Sequence, residues 1–377
     1  MSRFLLRLGS VTKKQRNTLI TAALLILVSV FGYYFVSSNE SYYPMTIAKI
    51  TSIAAAKAQA ETGEQITQKL SAIVMNGPHK GEAISLQNTA SYSRATELDL
   101  KADDEVFVTL KQNPANQIIS AQILDFKRDT HLAYITILFV LLILLVGGFK
   151  GFRSLASVAV NITIVSAVTQ LFLHGYNLVL IAAAASLLFI VLSISLVSGL
   201  NKKTFAAVIG TVIGTFASML LAAAVMLLTH NNGVHYEEME FLTSPPQPIF
   251  MAEILIGTLG AIMDIAITIS ASVEEMYQKN PQTEKKNLMA SGMEIGKDIM
   301  GTMANTLVFA YISGSIPLIL LWLANGNSPF YIVNINISLE IIRALTGSIG
   351  IVLSIPVTLF VTVMLLKKHR IGEGLQS

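Results

Sequence analysis

Eight stretches of this chain stay apolar for long enough to cross ~30 Å of hydrocarbon as helices: Thr18 to Val36, Leu132 to Gly148, Leu155 to Leu173, Asn177 to Val197, Phe205 to Thr229, Ile249 to Val273, Thr302 to Ala324 and Ile342 to Leu366. Of 377 residues, 53% are hydrophobic and only 13% charged, with a mean hydropathy of +0.62. A soluble domain needs more polar surface than that. The chain therefore reads as an α-helical polytopic membrane protein of about eight transmembrane helices, since a backbone in lipid must satisfy its own hydrogen bonds. The expected division is a basic N-terminus at 1–17, a signal-anchor helix at 18–36, an extracytoplasmic β-rich domain at 37–131, a seven-helix membrane domain at 132–366 and a basic tail at 367–377.

Lys and Arg set the orientation, because they collect on the cytoplasmic side of spans. Arg3, Arg7, Lys13, Lys14 and Arg16 precede the first span, and Lys150 and Arg153 follow the second. Lys202 and Lys203 follow the fourth, Lys279, Lys285, Lys286 and Lys297 the sixth, and Lys367, Lys368 and Arg370 the eighth. Loops 174–176, 230–248 and 325–341 contain no Lys or Arg. Both termini are thus expected in the cytoplasm and residues 37–131 outside, with Arg343 a basic exception at the outer mouth of the eighth span. The first run has the basic flank of a signal peptide, but its apolar stretch is long and no small-x-small cleavage pattern closes it, so an uncleaved anchor is expected.

The chain has no cysteine, which excludes disulfides and thiolate metal sites. The outer segment must then hold together by packing. Partial period-two alternation in Ile66 to Asn76, Glu82 to Gln87, Glu105 to Leu110 and Gln117 to Phe126, with turns at Asn76-Gly77-Pro78, 101–104 and Asn113-Pro114, predicts a small, mainly β barrel. An OB-like topology is one option, without its nucleic-acid role, since the segment is outside, near neutral and poor in aromatics. Residues 46–63 fit either a first strand or an Ala-rich helix.

Carboxylates at membrane depth cost roughly 3 kcal/mol each and mark a pathway, a relay or a polar contact. Glu253, Asp264 and Glu275 on the sixth span are spaced eleven residues apart, which places them on one helical face with a drift of about 20° per step. Gly257, Ala261, Thr268 and Ser272 fill the same stripe. Such a stripe is expected to face the protein interior or a water-filled cavity, with Asp264 near mid-depth. The blander possibility is a protonated Asp264 that merely hydrogen-bonds a neighbouring helix. Asn280-Pro281 has the character of a helix start, and a helix from there would carry Glu294, Asp298, Gly301 and Asn305 on one face. That face forms either an acidic vestibule leading to Asn305 or a solvated helix end with Lys297. Close packing of the sixth and seventh spans, with Asp264 facing Asn305, is the expected shared site.

Oxygen ligands of this kind suit H⁺, Na⁺ or hard divalent cations; which metal, if any, is left open, and no cofactor is expected. Met289, Met293, Met300 and Met303 read as packing. The six histidines, His79, His131, His174, His230, His235 and His369, fall at interfaces or in soluble segments without zinc-protease spacing. Glu340 and Arg343 are spaced for an i, i+3 pair, a gate at the outer end or an interfacial salt bridge. Asn161 is a further polar candidate in the third span. Gly210-x3-Gly214 is a close-packing motif, and Pro317 and Pro356 can bend their spans. The acidic, proline-rich 230–248 loop reads as a solvated connector.

Three blocks then stand together: Gly257-Thr-Leu-Gly260-Ala-Ile-Met-Asp264, Ser291-Gly-Met-Glu294-Ile-Gly-Lys-Asp298-Ile-Met-Gly-Thr-Met-Ala-Asn305-Thr-Leu, and Glu340-Ile-Ile-Arg343-Ala-Leu-Thr-Gly347-Ser-Ile-Gly350. With the Phe149-Lys150-Gly151 turn and the outer β-like segment, they resemble the YibE/F family of bacterial membrane proteins over most of the chain from about residue 60. The domain-bearing form is similar to the YibE member of a tandem pair. The resemblance implies a bacterial cell membrane location and a companion YibE/F-type subunit, and implies little about activity.

No nucleotide loop, GxSxG or HExxH occurs, so no standard enzyme is expected. The leading expectation is a secondary transporter or permease-like subunit coupled to H⁺ or a small cation. A non-transport assembly or sensing subunit that pairs with a second family member is the alternative, and an intramembrane enzyme the third. The bilayer is the common partner of all three, and nucleic acid of none.

Overall fold

The computed structural model describes residues 25–35, 38–60, 63–90, 100–230, 233–236 and 245–373, together with Ala23 and Met239. The basic N-terminus, the start of the first expected span, the acidic pair at 237–238 and the tail beyond 373 lie outside the described residues. The chain divides into two units, one up to Phe152 and one from Arg153 onward.

In the first unit a short apolar helix, α1 (Leu25–Phe35), precedes five strands. These are β1 (Thr46–Ala60), β2 (Gly63–Val74), β3 (Ala83–Ala90), β4 (Glu105–Gln112) and β5 (Ile118–Phe126). All pairings are antiparallel and the order is β3-β2-β1-β4-β5. β3 and β5 approach each other across the remaining gap, which makes a nearly closed small barrel. Residues 46–60 are thus strand, not helix: β1 finds β2 along almost its whole length, from Ala48 opposite Val74 to Ala60 opposite Gly63. Tertiary pairing overrides the helical propensity of its alanines. The alternation pays off where Leu70, Ala72 and Val74, Ile84 and Leu86, and Val106 and Val108 point into one core with Ile50 and Leu100.

Packing is not the domain's only support. Lys127 is fully buried and donates to Glu105 at 2.6 Å and to the Asn39 side-chain oxygen at 2.9 Å, with Asp129 at 3.2 Å. Tyr43 donates to Asp129 at 2.8 Å. Burial, and then this hydrogen bond and the negative charge beside it, push the Tyr43 phenol up from 10.0 to about 12. A raised phenol makes its contribution in full below about pH 10 and loses it as pH rises through about 12. Tyrosinate absorbance in an alkaline titration is expected to show one late-titrating tyrosine, absent in Tyr43→Phe and moved back toward the ordinary value in Asp129→Asn.

Six helices among the described residues are long and apolar enough to cross a membrane. The second and third expected spans are one helical element, α2 (Asp129–Leu173), broken at Gly148 with φ 53° and ψ −131°. Only glycine takes that conformation freely, and the kink leaves Gly151 against the backbone carbonyl of Ile143. The remaining spans are α3 (Leu178–Ser198), α4 (Lys202–Leu228), α5 (Pro246–Lys279), α6 (Lys285–Ala324) and α7 (Ser338–Glu373). The expected helix start at Asn280-Pro281 is displaced to Lys285. Asn280 instead closes α5, donating its N–H to the Met276 carbonyl, while its side chain accepts from Gln282 N–H in the connecting turn. Pro317 and Pro356 lie inside α6 and α7, which continue through them.

The second unit is organised on α5 and α7. Ile262, Ile265, Ile269 and Val273 recur every three or four residues and meet Ile351, Ile355, Leu359 and Val363, with Leu288 and Leu307 from α6. Met289, Met293, Met300 and Met303 pack against this cluster, as expected of methionine in a core. α4 meets α7 through the Gly210-x3-Gly214 motif: Gly210 abuts Thr358, and a Cβ at Gly214 would come within 2.8 Å of Ser354 Cβ and 3.0 Å of the Gly350 carbonyl. Gly210→Ala is expected to cost about 1–3 kcal/mol, since backbone and a β-branched side chain on the facing helix cannot both yield. The denaturation midpoint of the detergent-solubilised protein checks this.

Candidate functional site

At the end of α5 near its start, sequence-distant charges converge. Arg343 of α7 donates through Nη1 to Glu340 and through Nη2 to Glu253 of α5, each at 2.5 Å. Its guanidinium also lies 5.3 Å from the Phe250 ring centroid, a cation–π contact. Two carboxylates thus share one cation. Arg343 Nε and the Tyr311 hydroxyl of α6 are buried and find no hydrogen-bond partner among the described residues. These groups border a cleft of ≈ 460 Å³ that takes in Glu253, Gly257, Tyr311 and Arg343 between apolar walls.

From the cleft the α5 face descends through Gly257, which lies against the Tyr311 hydroxyl, to Asp264 and Thr268. Here the structure narrows an expectation. Gly257, Gly260, Asp264 and Thr268 are accessible and not buried in the packed interior, which leaves the open, cavity-facing alternative. The physical reason is competition for the seam: the isoleucine stripe takes the side of α5 toward α6 and α7, and Asp264 stands about 100° away from Ile265 on the helix. No hydrogen bond joins Asp264 and Asn305 among the described residues, and both are exposed. They are nonetheless close in depth, because Ile269 lies near Gly296 and Gly257 near Tyr311. That antiparallel register puts Asn305 within about one turn, ~5 Å, of the level of Asp264.

The other candidates are placed as follows. Glu275 is exposed and paired with Lys279 at 2.8 Å. Glu294 is exposed and paired with Lys297 at 3.0 Å, the solvated helix end weighed against a vestibule. Asp298 is exposed one turn further along α6. Asn161 of α2 accepts a hydrogen bond from Ser193 of α3 at 2.8 Å, a polar tie between helices. Among the described residues no group of three or more His, Cys, Asp or Glu side chains is arranged to hold a metal ion. Sequence reasoning missed the Glu253–Arg343 pair, whose partners stand 90 residues apart, and Tyr311. The latter was signalled only by Gly257, the small residue that admits its ring.

Long apolar helices carrying a paired charge cluster at one end define an integral membrane protein. Residues 135–368 match the family model described as YibE/F-like protein, and residues 41–126 match that of the YibE/F family N-terminal domain. The chain belongs to the YibE/F family. No curated protein and no solved structure matches it.

Proposed function

We propose that the chain is a permease-like subunit of a secondary transporter in the bacterial plasma membrane, carrying a proton or small cation. Both termini then lie in the cytoplasm and the β domain outside. The observation that carries this reading is the continuity of one α5 face, from the Glu253–Arg343–Glu340 cluster through Gly257 to Asp264. Two carboxylates around one guanidinium leave a net negative site at the mouth, and a third carboxylate, Asp264, stands further along the same α5 face as Glu253. The chain acts as a carrier, not as an enzyme.

A carboxylate facing lipid costs roughly 3 kcal/mol. The exposed polar stripe of α5, together with Asn305 and Thr302 on α6, is therefore read as completed by a companion YibE/F-type subunit. The same exposure favours the second reading, an assembly or sensing subunit whose polar helices only pair with that companion. Proteoliposome flux separates the two, run across pH and a panel of mono- and divalent cations, with and without the companion. Ion-coupled movement supports the transporter; a correctly inserted, companion-bound protein that moves nothing under any condition overturns it.

A further inference from the structure

At the opposite, lysine-rich end of the bundle, a groove of ≈ 640 Å³ runs between α3, α4 and α7. Its body is apolar, formed by Val191, Leu200, Phe205, Val208 and Leu365, and its rim carries Lys202. The turn Gly199–Asn201 forms one lip, and the Arg153 guanidinium lies beside that turn: a Cβ at Gly199 would come within 3.6 Å of Arg153 Nη2. Charge is not balanced there. Lys203 is neutralised by Glu274 at 2.8 Å, whereas neither Lys202 nor the half-buried Arg153 has a hydrogen-bond or ion-pair partner among the described residues.

We propose that this groove binds one anionic phospholipid, its phosphate held by Arg153 and Lys202 and one acyl chain lying along Leu200, Phe205 and Val208. Two unmatched cations at the head of an apolar channel, on helices that span a bilayer, complement a lipid whose negative charge sits directly above its hydrocarbon. A guanidinium pairs with phosphate through two parallel N–H donors, and an ammonium adds a point charge. A zwitterionic lipid supplies the chain but no net charge, and free phosphate supplies the charge but no chain. The inference does not depend on transport.

The test uses the full-length protein in detergent, with lipid retention followed by native mass spectrometry and thermal midpoint. The probes are phosphatidylglycerol, phosphatidylcholine of the same chains, and inorganic phosphate. Wild type is expected to bind phosphatidylglycerol roughly tenfold or more tightly than phosphatidylcholine, two basic contacts being involved. Arg153→Gln with Lys202→Gln should abolish that preference. Lys285→Gln with Lys286→Gln, the same charge change elsewhere on that end, should keep it. Val208→Trp, which fills the groove and leaves both cations, should weaken both lipids. Equal binding of the two lipids by wild type overturns the proposal, as does a preference that survives loss of Arg153 and Lys202. Stabilisation by inorganic phosphate as large as that by the lipid also overturns it.

Discussion

Asp264→Asn is expected to reduce ion-coupled flux to the protein-free background while leaving insertion, yield and co-purification with the companion unchanged. Asparagine keeps the size and hydrogen-bonding reach of aspartate but can neither carry charge nor exchange a proton, so the substitution isolates the chemistry. The structure makes the second half of the expectation specific. Asp264 is exposed and has no hydrogen-bond partner among the described residues, so the change removes no hydrogen bond or ion pair and, being isosteric, should shift stability by no more than about 0.5 kcal/mol. Reconstituted flux beside a denaturation midpoint measures both at once. If Asp264 serves only to pair helices, asparagine pairs as well and flux survives, a result that would sink the transport role of this residue. Asp264→Glu, which restores charge on a longer arm, is expected to recover part of the flux.

Arg343→Gln is expected to destabilise the membrane unit by breaking a shared ion pair. Arg343 is only 13% exposed and satisfies two carboxylates, Glu253 and Glu340, at once. Removing the shared partner of a buried pair costs about 3–5 kcal/mol, because the charges left behind are uncompensated. Glu253 is 41% exposed, so water and headgroups relieve part of the penalty and a loss of about 2 kcal/mol is the reasonable scale. Much of that loss should return in Arg343→Gln combined with Glu253→Gln, which removes the orphaned charge as well. A double-mutant cycle on the denaturation midpoint checks the coupling. Additive effects would show that the Glu253–Arg343 contact contributes nothing of its own.

The architecture was legible where a physical pattern repeats. Long apolar runs read as helices because lipid tolerates no other isolated segment. Alternation in Leu70, Ala72 and Val74 read as strand because a sheet has two faces. The i, i+3 pair of Glu340 and Arg343 formed as its spacing demanded, and the Gly210-x3-Gly214 motif packed helices as small residues do. Residues 46–63 were ambiguous in sequence because alanine suits either state until a partner strand is present. Lys127, next to Arg128, looks like half of a solvated basic pair. Nothing local announces that Glu105 and Asn39 will join the neighbouring Asp129 in enclosing it, since those two come from distant segments.

The candidate site divides along the same line. That Glu253, Gly257, Asp264 and Thr268 share one face of one helix follows from 3.6 residues per turn, and the sequence determined it outright. Which way that face points was decided only by the tertiary structure, because α5 has two usable faces and only one can enter the seam. The isoleucines at 262, 265 and 269 interlock with α7, and the polar stripe is left on the outside. The pairing of Glu253 with Arg343 was decided in the same way. Periodicity places a residue around its own helix, but only the packing of one helix on another determines which charge it meets.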